Sequence, residues 1–155
     1  MPESLEIKNL DRLMGRISHA ERNWLTRELM AKIGLYITTR IAARTRVGKD
    51  VEGNMFKPYS ASYKLFRKKT GRTTDIVNLT LTGEMMASMT SEVLSDHEVR
   101  AFFMSGSGGK TDNPSKAFFI HTAQNRKFFA LSEVEQTRIL QMVTDHFNDI
   151  LFEAT

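Results

Sequence analysis

Gly106-Ser107-Gly108-Gly109-Lys110-Thr111 is the stretch of this chain whose residue types come nearest to a phosphate-handling loop. In such a loop glycines let backbone N–H groups curl around phosphates, and the next helix turns its N-terminus to the same charge. Aligning Gly109-Lys110-Thr111 with the end of that motif puts Met104 where its first glycine belongs. Asp112-Asn113-Pro114 then follows, where an apolar helix should begin at once. The segment from Ser105 to Asn113 is instead predicted to be a mobile glycine–serine loop at a hairpin tip. The histidines, His19, His97, His121 and His146, are widely spaced, and no two of them stand at the i, i+3 or i+4 spacing, with a carboxylate partner, that a metal needs. There is no cysteine, so neither thiolate ligands nor disulfides are available. His146, beside Asp145, is expected at a helix edge. His121, after Phe118-Phe119-Ile120, is expected to be partly buried and hydrogen-bonded, with a catalytic role as its alternative. No Gly-x-Ser-x-Gly occurs and no nucleophile has a visible base. The expectation is no catalytic residue, no metal, no cofactor and no enzyme.

Charge is the stronger signal. The net charge is +4, and residues 40–72 hold ten Lys and Arg against two acids, while the rest holds twelve against sixteen. Within that segment Arg46, Lys49, Lys57, Lys64, Arg67, Lys68 and Lys69 interleave with Phe56, Tyr59, Tyr63 and Phe66. Cations there could contact a phosphate backbone and aromatics could stack on unpaired bases. Tyr63 and Phe66 also stand at i, i+3, as core-facing residues of a short helix do. A solvated basic loop, a face for an acidic neighbour and a lining for passing DNA all fit this composition.

Positioning such residues requires a scaffold, and 155 residues suit one domain, 1–155. No apolar run approaches the roughly 20 residues of a membrane span, so no membrane partner is expected. The N-terminus carries acids where a secretory signal has basic and apolar regions, so synthesis and residence in a cytoplasm are expected. Leu5-Glu6-Ile7 is predicted as a short strand, and Leu10 to Ile17 as a brief helix. Ser18 and Glu21 form a capping-box pattern that opens a long amphipathic helix over about 19–45, with Leu25, Leu29, Ile33, Tyr36, Ile37 and Ile41 as its inner stripe. A turn-rich passage from Gly48 to Ser60 precedes a basic helix over Ser60–Lys69. Ile76–Leu81 is β-prone, and Thr82 caps one helical turn to Ala87. Ser88–Leu94 and His97–Met104 are predicted to form a hairpin, and Pro114 to open a helix to about Thr122. A second capping box, Ser132 to Glu135, opens the last helix over about 133–152. Ile139, Val143, Phe147 and Ile150 face in, and Glu133, Glu135, Asp145, Asp149 and Glu153 face out. The predicted fold is α+β: a small antiparallel sheet, with its hairpin near 88–104, against two long helices.

Several of these pieces occur in an order that resembles the tailed-phage virion-morphogenesis and tail-completion family. A capped helix ending in Arg46 leads into Gly48, Asp50, Gly53, Phe56, Pro58, Tyr59 and Ser60, then Tyr63 and Lys64. Leu81-Thr82-Gly83 with Met85 follows. After the hairpin come Ile120-His121 and the box Arg126-Lys127-Phe128-Phe129-Ala130-Leu131-Ser132. The resemblance spans roughly residues 19–153. It departs from the family pattern at Thr122-Ala123-Gln124, where a glycine often follows the histidine, and at Ala130, which replaces a glycine. The resemblance implies a structural protein of the neck, at the head–tail junction or the upper tail end, that acts in viral assembly. It implies a ring homo-oligomer, sixfold favoured, and contacts with other neck, connector or tail-tube proteins. It also implies residence in the virion after assembly in the host cytoplasm. Gly53, Phe56, Pro58, Gly83, His121, Arg126, Phe128 and Phe129 are then turn formers and anchors. Phe56, Phe128 and Phe129 can either grip a neighbour or fill the core. The +8 segment and the acidic last helix could supply complementary faces.

Overall fold

A computed structural model describes residues 15, 17–19, 21, 24–80, 82–106 and 111–153. The strand predicted at residues 5–7 lies outside them, as does most of the brief helix over residues 10–17. Helical backbone at residues 17–19 and 21 puts Ser18 inside helical structure, not at its start. The long helix α1 spans Arg27–Arg46, not 19–45. Trp24 and Leu25 are bent, and Thr26, in extended conformation, caps the helix by accepting from the Leu29 N–H at 3.1 Å. Its 20 residues measure about 30 Å, where a helix over 19–45 would measure about 40 Å.

Helix α2 spans Ala61–Lys69 with Ser60 as cap, and α3 is one turn, Glu84–Ala87. The hairpin follows as β1, Met89–Ser95, and β2, Glu98–Phe103, antiparallel with an irregularity between Val93 and Ser95. Its turn is Asp96-His97, so the glycine-rich loop is not the hairpin tip but the link from β2 into α4, and residues 107–110 of it lie outside those described. Helix α4 spans Asn113–Thr122, capped by Asp112 with Pro114 in its first turn, and α5 spans Glu133–Glu153. Ile76–Leu81 is not a strand over its described residues 76–80. The Asn78 side chain accepts from the Thr80 N–H at 3.1 Å and Leu79 takes a φ of 54°, so a local turn replaces strand pairing.

The fold is α+β: the two-stranded hairpin packs against the long helices α1 and α5. Val93 and Val99 face α1 and meet Leu29, Met30 and Ile33, while Glu92 and Arg100 pair at 2.6 Å on the other face. Helix and sheet pack tightly at Gly34, where a Cβ would stand 2.6 Å from Ser91 Oγ and 2.8 Å from Val99 Cγ2. A second cluster gathers Ile41, Phe56, Tyr59, Val77, Met85, Phe103, Ala117 and Phe128, and Ile37 packs against both. Helices α1 and α5 run antiparallel, since Arg44 near the end of α1 meets Glu135 at the start of α5, while Trp24 packs edge-on against Phe147. No helix among the described residues is long and apolar enough to cross a membrane.

Candidate functional site: a basic groove beside a buried ion pair

A groove of about 710 Å³ opens beside α2 and α4. Its walls are the 57–60 segment, the inner face of α2, Leu79, residues 82–85, α4 and Arg126. Tyr59 forms the floor and is buried. The Arg67 guanidinium lies 4.7 Å from the Tyr59 ring centre and that of Arg126 lies 5.3 Å away, so two cations stack on one ring. Tyr63 packs edge-on at 5.0 Å. Burial raises the Tyr59 hydroxyl above its ordinary pKa, against the pull of Arg67 and Arg126. Burial also pulls Arg126 below its usual value, with Tyr59 opposing.

Arg67 was expected to face DNA or a neighbour. It is instead 1 % exposed, with its Nε donating to the Thr73 carbonyl at 2.8 Å and a terminal nitrogen to the Thr80 carbonyl at 3.0 Å. It fastens the irregular 73–80 segment to α2, where the tyrosines and carbonyls replace water around its charge. The remaining candidates Arg46, Lys49, Lys57, Lys64, Lys68 and Lys69 are exposed. Only Lys57 reaches the groove. Lys64, Lys68 and Lys69 stand on α2, and Arg46 and Lys49 lie at the end of α1 and just past it.

Of the eight family-type turn formers and anchors, three (Pro58, Gly83 and Arg126) line this groove. Gly83 precedes α3 with a φ of 86°, and Gly53 turns the preceding loop with the same value, a conformation open to glycine without strain. Arg126 donates to the Lys57 carbonyl at 3.1 Å and to Gln124, joining the 57–60 segment to the chain after α4. Phe56 and Phe128 are core residues, so they do not present anchors to a neighbour. Phe129 is half-buried, 4.9 Å from the Phe103 ring. His121 is half-buried as expected, with Nδ1 accepting from the Phe129 N–H at 3.4 Å.

Behind Arg126 lies a pair that the sequence reading passed over. Arg44 donates to both oxygens of Glu135 at 2.6 Å, and to the carbonyls of Phe128 at 2.8 Å and Ala130 at 2.7 Å. Glu135 is 3 % exposed, so it does not belong to the acidic outer face of α5. It closes the predicted capping box, accepting from the Ser132 N–H at 2.9 Å while its own N–H donates to Ser132 Oγ at 3.2 Å. Burial by itself raises the Glu135 pKa. The bonds from Ser132 and the charge of Arg44 outweigh it, and the carboxyl sits below its ordinary range.

Arg44 could have been found in the sequence, because it continues the Ile37–Ile41 stripe at i+3. The exposed aromatics were also missed. Phe118 and Phe119 point outward from α4, at 71 % and 55 % exposed, since the inner face of that helix is taken by Asn113, Ala117 and Ile120. Among the described residues no group of three or more His, Asp or Glu could hold a metal ion. No family model, no curated protein and no solved structure matches this chain.

Proposed function

We propose that this chain is a structural subunit of a tailed-phage particle, working at the head–tail junction or upper tail end through contacts with other subunits. The observation that carries the proposal is the common use of residues scattered from Gly53 to Arg126. Gly53 and Gly83 turn the backbone, Ser60 caps α2, and Tyr59, Phe56 and Arg126 pack and brace. These are the parts of a rigid docking platform, and no catalytic step is assigned to them. Its surface supports the same role. Val47, Met55 and Ile76 are exposed around Gly48, and Phe118 and Phe119 are exposed on α4, adjacent apolar groups of a kind that assembly covers. A ring of copies joined to neck or tube proteins follows from the family resemblance, with the virion as final location.

The test is a deletion in the phage genome that encodes the chain. Filled heads and finished tails that fail to join, with joining restored by the gene supplied in trans, are the expected result. Normal infectious particles from the deletion would end the proposal. The second reading is a DNA-binding accessory protein, favoured by Lys64, Lys68 and Lys69, exposed on α2 and outside any ion pair among the described residues. It expects affinity for duplex DNA of any sequence that falls steeply with salt, and falls again on replacing those three lysines with alanine. Arg67 does not belong in that set, because its loss would damage the fold.

A further inference from the structure

The groove holds four cations, Lys57, Arg67, Lys116 and Arg126, against one carboxylate, Glu84. Among the described residues none of the four is in an ion pair. Arg67 is buried with only carbonyls and rings around it, so the groove keeps a net positive charge that the chain itself does not neutralise. Between the cations lie Leu79, Met85 and Ile120, an apolar lining that suits side chains better than a bare phosphate backbone.

The complementary surface is the end of α5. From Val143 to Glu153 the helix carries Asp145, Asp149 and Glu153 and no Lys or Arg. All three carboxylates are exposed and outside any ion pair among the described residues. The C-terminal end of a helix is already its negative end, so acids there are in an unfavourable field that an external cation relieves. Lys32, a cation of α1, is held by Glu28 at 2.8 Å, and Arg27 donates to the Val93 carbonyl at 3.1 Å.

The two surfaces cannot meet within one molecule. The groove adjoins the Arg44–Glu135 end of the helix pair through Arg126 and Phe128. From Glu135 to Glu153 the helix climbs about 27 Å toward the opposite end. We propose that the acidic C-terminal end of α5 in one copy docks into the Lys57–Lys116–Arg126 groove of a second copy, so that this chain associates head to tail. Complementary patches at opposite poles make a heterologous contact, which closes into a ring or continues as a fibre according to the rotation per step. The inference deepens the assembly reading by naming the contact, and rests on it.

Sedimentation of the full chain tests it. The wild type is expected to gain mass with concentration, and its association to weaken by about tenfold or more between about 0.05 and 0.5 M salt. Lys57→Glu with Lys116→Glu is expected to leave monomers, and Asp149→Lys with Glu153→Lys to do the same. All four changes in one chain are expected to restore association. Should Lys116→Glu unfold the protein, Lys57→Glu against Glu153→Lys gives the same comparison. A wild type monomeric at about 1 mM and low salt, reversal at either pole that leaves the mass unchanged, or failed restoration would each overturn the contact. So would groove variants that lose binding to mixed-sequence duplex DNA while keeping the wild-type mass. The particle deletion is read separately, so failure of this contact and failure of the assembly role are distinguishable.

Discussion

Glu135 accepts from the Ser132 N–H and from Arg44 with the same carboxylate. Removing it strands a guanidinium whose side chain is 9 % exposed, and Glu135→Ala is expected to cost about 3–5 kcal/mol in urea unfolding. The pH dependence has a definite sign. The folded-state pKa is depressed below the ordinary 4.5, so the pair's contribution is present above that value and is lost as pH falls through the lower folded value. The unfolding midpoint of the wild type should drop on acidification below about 4.5, and Glu135→Gln should flatten that drop. Arg67 provides a contrast within the same basic segment. Arg67→Met leaves the Thr73 and Thr80 carbonyls without their donor and is expected to cost about 2–4 kcal/mol. Lys68→Met, on the exposed side of α2, is expected to stay within about 0.5 kcal/mol. Equal effects of the two substitutions would contradict the structural role of Arg67.

Helix α1 meets the hairpin at Gly34, where the glycine leaves room for the side chains of Ser91 and Val99. Alanine there would gain helix propensity, about 1 kcal/mol, yet its Cβ would overlap Ser91 and Val99. The overlap should win, and Gly34→Ala is expected to lower stability by about 1–3 kcal/mol in thermal unfolding. Elements with a strong local pattern could be read from the residues. The hairpin announced itself through alternation from Val99 to Phe103, α4 through Pro114, and α5 through the Ser132–Glu135 box. The start of α1 did not, because apolar spacing continues back through Leu25 while the bend at Trp24 and the Thr26 cap leave no strong periodic break. Residues 76–80 carried β-branched and apolar types, but Asn78 turned the backbone before a strand could pair. In the candidate site, the turn glycines, Pro58 and Arg126 were legible as a motif. Burial of Arg67 and Glu135 was not, because charge predicts exposure unless the partner from a distant element is known.

The whole molecule is a pair of antiparallel helices with unlike ends, a basic groove at one and a run of carboxylates at the other. Beside the groove α4 shows Phe118 to solvent, and the fold should tolerate its loss in isolation. Phe118→Ser is expected to change stability by less than about 1 kcal/mol and, under the proposed assembly role, to reduce incorporation into particles, measured by quantifying the protein in purified virions. Self-association and incorporation would then be separable by substitution, one at the charged poles and the other on α4. The double engagement of Glu135 has a further bearing on how the molecule breathes. Because one carboxylate both starts α5 and holds the end of α1, neither helix can fray there without freeing the other. The amides in the last turn of α1 and the first turn of α5 should therefore show one common free energy of opening in hydrogen–deuterium exchange, as a single cooperative unit.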